Sequence, residues 1–214
     1  AFDTMKDLEH ITLIGTAPMV LAATKGSPIK SFAQLVTEAK AKKNNSYGTI
    51  GTGSLGHLAI AQMAKNAGFD WTHVPYKGGG PLMNDAVGGH VPLAVGSLFL
   101  IKPHADSGNV TPLAVSTSKR AKDMPNVPTI AESGFPGFDA PAWWGVIGPA
   151  KLPPAITSRI HAAVAAALKS PDVARKLDEQ GIDVVGGGPE VFKPFVEKQM
   201  TTWSAFIKAN NITE

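Results

Sequence analysis

The chain has 214 residues, 43% hydrophobic and 17% charged, the balance of a sequence that folds around a core rather than one that stays disordered. Lys and Arg number 20 against 17 Asp and Glu, a net +3 that permits an anionic partner without demanding one. Arg120, Arg159 and Arg175 are scattered, which argues against the basic stripe that nucleic acid requires, and the absence of cysteine excludes disulfides, thiolate metal sites and cysteine nucleophiles.

The chain opens on Ala1, Phe2 and Asp3, with no initiator methionine and no charged-then-apolar leader, and so reads as processed or truncated at its start. Ile11–Ile14 and Met19–Ala23 read as short buried strands parted by Gly15 and Pro18. Ser31 and Gln34 form a capping box for an amphipathic helix with Phe32, Leu35, Val36 and Ala39 on one face, running to about Lys43. Ser46–Ile50 is a predicted strand, Gly51–Gly56 a glycine-rich turn, and His57–Ala67 a helix closed by Gly68. The order then repeats: a strand at Trp71–Pro75, a second glycine turn at Tyr76–Gly80, and a short helix opened by Pro81 and ended by Gly88 and Gly89.

Val91–Val95, Thr111–Ser116 and Ala142–Ile147 supply three more predicted strands. The apolar stretches at 11–23 and 91–101 are broken by Gly and Pro and are too short for a bilayer, so no stable membrane insertion is expected. Beyond Pro153 the periodicity turns helical, with a second short helix after Ser170 and Pro171 and a last one over Val191–Ala209, Pro194 falling in its first turn. Strands alternating with helices predict an α/β protein with mostly parallel sheets.

Gly51, Gly53 and Gly56 fit the G-x-G-x-x-G spacing between a strand and a helix, the setting of a dinucleotide site. The next strand, however, ends in Tyr76 and Lys77 and offers no carboxylate to a ribose. What survives is anion recognition. Glycines expose main-chain amides at a helix start, where the dipole favours negative charge, and Thr52 and Ser54 add hydroxyls. The second turn places Tyr76 and Lys77 beside Gly78 and Gly79, and the two turns are expected to converge on one anionic ligand through unpaired amides. The blander reading makes both turns tight strand-to-helix connections, with Ser54 as an N-cap. His57 fits either a donor to a bound anion or an ordinary first-turn residue, and Trp143 and Trp144 fit core packing or a pocket wall. No two of the six histidines have metal-pair spacing, and no motif joins an acid, a base and a nucleophile. Neither a metal nor a cofactor is expected, and binding is favoured over catalysis.

The segments YGTIGTGSLGHLA, HVPYKGGGPLMNDAVGGHV and TPLAVSTSKRAKDMPNVPTIAESGFPG, with the stretches flanking them, resemble in order the solute-binding proteins of tripartite tricarboxylate transporters, the Bug family, over essentially the whole chain. The resemblance implies a type II periplasmic-binding-protein-like fold of two α/β lobes closing on a ligand in a cleft. It divides the chain into 19–140 as the second lobe, with 1–18 and 141–214 as a partial first lobe. It implies a periplasmic receptor that delivers a small carboxylate to membrane permease subunits. Residues matching the family's ligand-facing loops are Thr52, Gly53, Ser54 and His57, then Tyr76, Lys77, Gly78 and Gly79, with Ser97 and Trp144 as further matches.

Two departures stand out. The N-terminal stretch that supplies one jaw in the family does not precede Ala1, so self-association through the apolar face of the last helix at Phe195, Trp203 and Phe206 is expected of a truncated chain. The family's acidic residue after the second glycine turn is replaced in Gly89, His90, Val91, Pro92. An enzyme using a nucleotide through GTGSLG is the alternative function, and a scaffold without a small ligand is a third reading.

Overall fold

A computed structural model describes residues 3–41 and 46–212. The chain divides into two compact units: one joins the stretch up to Ala17 with Trp143–Ala209, the other is Pro18–Ala142 with the stretch from Asn210 on.

The larger unit is built on β2 (Met19–Thr24), β3 (Ser46–Thr49), β4 (Thr72–Pro75), β5 (Leu93–Ser97) and β6 (Val110–Val115), with α1 (Phe32–Lys40), α2 (Leu55–Ala67), α3 (Gly79–Gly88) and α4 (Leu98–Asp106) as its helices. The strand order is β4-β3-β5-β2-β6. β3 pairs parallel with β4 and β5, whereas β2 pairs antiparallel with β5 and β6. The sheet is therefore mixed and not mostly parallel as the strand-helix alternation predicts. β2 is fed from the other unit and not from a crossover helix, so it enters against the direction of its neighbours.

Every residue of β2 is buried, the mark of a central strand covered on both faces. On one face Val20, Ala22, Ala94, Val110 and Val115 pack under Leu82, Met83, Leu98 and Ile101 of α3 and α4. Each Val, Leu, Ile or Met side chain among them withdrawn from water contributes about 1.5–3 kcal/mol. On the other face Gly56 of α2 approaches Val95 and Met19, where an added Cβ would lie 3.1 Å from a Val95 methyl.

The helix starts and stops follow the sequence signals. Ser31 caps α1 by accepting from Gln34 N, and Gly68 and Gly89 close α2 and α3 in the left-handed conformation. The end of the first predicted helix at Lys43 lies outside the described residues. α3 begins at Gly79, two residues before the Pro81 start that sequence predicts, because Gly78 at φ 101° takes the N-cap position. α4 has no sequence-level prediction: its apolar start continues the run from Val91, and Pro103 lies inside it.

The smaller unit holds a three-stranded sheet in the order β7-β1-β8, from β1 (Leu8–Ala17), β7 (Ala142–Pro149) and β8 (Asp183–Gly187), with α5 (Pro154–Leu168), α6 (Pro171–Glu179) and α7 (Pro189–Ala209). Gly15, expected to break the first strand, sits inside β1. β8 approaches so closely that a Cβ there would lie 2.6 Å from the Asp183 carbonyl oxygen. α7 starts at Pro189, which moves Pro194 from the predicted first turn into the second. Phe192 and Val196 of α7 are fully buried with Leu13, and Trp143 stands edge-on to Phe192 and Phe195.

Candidate functional site

β3, β4 and β5 are parallel neighbours, so their C-terminal ends share one edge of the sheet. Thr49 stands opposite Pro75, and Gly48 opposite Ala94, which puts the Gly51 bend level with Ser97. Three strands span roughly 10 Å, the scale of a small organic acid. The chain turns here into α2, α3 and α4, so three helix N-termini stand along this edge.

The two glycine turns touch. Tyr76 N donates to Thr49 O at 2.9 Å, and Gly78 N donates to Ile50 O at 3.3 Å. Gly51 at φ 149°, Gly53 at φ 71° and Gly78 at φ 101° make these turns possible, since side-chain-bearing residues are strained there.

The expectation of unpaired amides holds for only part of each turn. Gly51 N donates to Thr49 Oγ1, Gly53 N to His57 Nδ1, Ser54 N to Gly51 O and His57 N to Ser54 Oγ. Such short turns stabilise themselves by consuming their own donors. The amides of Thr52, Leu55, Lys77, Gly79 and Gly80 have no protein acceptor among the described residues.

The predicted site residues therefore differ in role. Thr52 is exposed and its hydroxyl has no partner among the described residues; the same holds for the Lys77 ammonium. Gly53 shapes the turn and spends its amide on His57. Ser54 is the N-cap of α2 and also donates to Thr49 Oγ1 at 3.3 Å, which matches the bland reading of that residue. His57 is buried and accepts at Nδ1, so of its two readings the donor to an anion is not available at that nitrogen. The Tyr76 hydroxyl donates to Asp85 Oδ2 at 2.9 Å, within its own strand-to-helix unit. Burial, and then this carboxylate, push the phenol up to about 12. Gly78 caps α3, and Gly79 lets Leu100 approach: a Cβ would lie 2.9 Å from Leu100 Cδ1. Ser97 is the N-cap residue of α4 without a side-chain capping bond, and its hydroxyl has no partner among the described residues. Trp144 belongs to the smaller unit, on β7, and is 38% exposed.

Two side chains that sequence reasoning passed over organise the first turn. Thr49 Oγ1 is fully buried and lies 2.7 Å from His73 Nε2, 3.0 Å from Gly51 O and 3.3 Å from both Gly51 N and Ser54 Oγ. His73 stacks on His57 and lies beside Tyr47, whose hydroxyl donates to His57 O. Burial lowers both imidazoles, and the neighbouring His57 helps to bring His73 to about 4. Only pairing across β3 and β4 brings these residues together, so no spacing in the sequence marks them. Exposed apolar side chains flank the edge at Ile50 and Phe99.

A cavity of about 690 Å³ lies elsewhere, against α1 and α2, lined by Val36, Lys40, Gln62, Asn66 and Phe135, and contains none of the predicted residues. No group of His, Asp and Glu able to hold a metal occurs among the described residues, and no helix there is long and apolar enough to cross a membrane.

Residues 1–212 match the tripartite tricarboxylate transporter family receptor, so the chain belongs to that family of solute-binding receptors. It is 32% identical over 208 residues to a UPF0065 protein of Pseudomonas sp. (strain P51), covering 96% of this chain and 62% of that one. It is 28% identical to protein BugT of Bordetella pertussis, covering 97% and 64%. The chain thus spans less than two thirds of the length of these curated relatives.

Among solved structures, Rpa4515 of R. palustris with adipate superposes with a TM-score of 0.89 at 33% identity, over 99% of this chain and 71% of that one. MatC of Rhodopseudomonas palustris with bound malate gives 0.87 at 27%, over 97% and 72%. The fold is that of the Bug-type periplasmic binding proteins, with the mixed sheets described above.

Proposed function

We propose that this chain is the ligand-binding body of a periplasmic receptor that captures a small organic carboxylate at the C-terminal edge of the five-stranded sheet and hands it to the permease subunits of a tripartite tricarboxylate transporter. The observation that carries the reading is the joining of two strand-to-helix turns through Tyr76 N and Gly78 N, with the Lys77 ammonium, the Thr52 hydroxyl and the Gly79 and Gly80 amides left without protein partners among the described residues. A carboxylate satisfies such donors, and the start of α3 adds the favourable end of a helix dipole. Ile50 and Phe99 support a ligand with an apolar carbon body beside its charge. The adipate and malate held by two relatives have the matching chemistry.

The nucleotide reading loses ground for a physical reason. A pyrophosphate cradle needs the amides of the glycine turn, and four donors there already serve Thr49, His57, Gly51 and Ser54. Isothermal titration with adipate, malate, NAD and ATP tests the choice. Heat from a dicarboxylate and none from the nucleotides is expected. NAD or ATP binding with no response to either acid reverses the assignment.

A further inference from the structure

We infer that His73 is a positioning residue of the carboxylate site, acting through Thr49 Oγ1 to hold the Gly51–Ser54 turn in its ligand-ready shape. The inference rests on the receptor reading above but is argued from a separate set of contacts.

Thr49 Oγ1 has one proton and two lone pairs. Gly51 N–H and Ser54 O–H point at it from the turn, each at 3.3 Å, and fill the lone pairs. The hydroxyl proton then goes to the nearest acceptor, His73 Nε2 at 2.7 Å, with the Gly51 carbonyl oxygen at 3.0 Å competing for it. This inventory assigns the His73 proton to Nδ1. His57 accepts from Gly53 N at Nδ1, so its own proton is on Nε2. Both rings are neutral, and they stack with centroids 3.8 Å apart and planes 6° from parallel.

Four bonds of one turn thus run through two imidazoles and one hydroxyl. Protonating His73 at Nε2 presents Thr49 with a third donor and forces Gly51 N or Ser54 Oγ to leave. Protonating His57 at Nδ1 sets an N–H against the Gly53 N–H. Tyr47 from β3 faces the pair and serves His57 O; Thr49 comes from the same strand and Gly53 and Ser54 from the turn. No carboxylate or ammonium acts on either ring among the described residues, so nothing there compensates a positive charge. Acid therefore loosens the turn that carries Thr52, and neutral pH holds it.

The test uses the full chain with adipate as probe. In the free protein at pH 7, nitrogen chemical shifts of the imidazoles should report the Nδ1–H form of His73 and the Nε2–H form of His57; the opposite form at His73 overturns the proposal without any variant. His73→Leu should speed Gly53 amide exchange and weaken adipate binding, each about tenfold, whereas His73→Gln, which keeps an acceptor near the Nε2 position, should retain most of both. Lowering the pH from 7 to 3.5, through the folded His73 value of about 4, should weaken adipate binding by wild type more than by the Gln variant at the same pH. Unchanged Gly53 exchange in His73→Leu, or equal acid losses in wild type and His73→Gln, would overturn it. If wild type takes up neither adipate nor malate, the receptor reading fails, and the exchange rates and ring forms still decide the role of His73.

Discussion

His57 in the first turn of α2 and His73 in the middle of β4 lie face to face, their ring centroids 3.8 Å apart, beneath the first glycine turn. Two imidazoles at that distance tolerate at most one charge between them, and burial opposes even that one.

The pair makes stability depend on pH in a defined window. In the unfolded chain each ring takes a proton near 6.5, whereas in the fold His73 resists until about 4. Protons thus bind the unfolded state preferentially, and the pair's contribution, complete above pH 6.5, is lost as the pH falls toward 4. With partial solvent screening of this half-buried group the loss is on the order of 2 kcal/mol. Urea unfolding midpoints measured from pH 7 to 4 should show it, and the slope should shrink in His73→Phe.

Lys77 should separate binding from folding. Its side chain is exposed and makes no bond to the protein among the described residues. Lys77→Met should shift the melting temperature by less than about 1 °C. Adipate affinity should drop about tenfold or more by calorimetry. A variant that binds as wild type does removes Lys77 from the site.

The hydroxyls of Ser54 and Tyr76 should behave in the opposite way. Ser54 caps α2, so Ser54→Ala should cost about 1 kcal/mol of stability in chemical denaturation. Tyr76 donates to Asp85, so Tyr76→Phe should cost about 1 kcal/mol and change adipate affinity by less than about threefold.

Gly15 tests the smaller unit. Its Cβ would meet the Asp183 carbonyl oxygen at 2.6 Å, a backbone atom that cannot rotate away. Gly15→Ala should therefore push β8 from β1 and destabilise by about 1–3 kcal/mol, read as a lower denaturant midpoint.

Self-association is expected from the apolar surface of the same unit. Ile147, Val184, Val185 and Val191 are 43–50% exposed, and Phe195, Trp203 and Phe206 of α7 are half-buried. Sedimentation velocity over a hundredfold concentration range should show dimers or larger species; a single monomer boundary throughout would remove this expectation.

The sequence by itself determined the helices with periodic apolar faces, their caps at Ser31, Ser54, Gly68 and Gly89, and both glycine turns, because each depends on residues a few positions apart. It also determined the family, through motifs in a fixed order. It left β8 and α4 unseen: a five-residue strand with exposed valines and a helix carrying Pro103 have no periodic signature, and tertiary pairing and packing hold them. The direction of β2, and with it the mixed sheet, was decided by where the chain enters the larger unit. The tertiary structure also sorted the site residues. Whether Ser54, His57 and Tyr76 keep a free donor depends on Thr49, Gly53 and Asp85 standing within hydrogen-bond reach, and the hub of Thr49, His57 and His73 forms only when β4 lies beside β3.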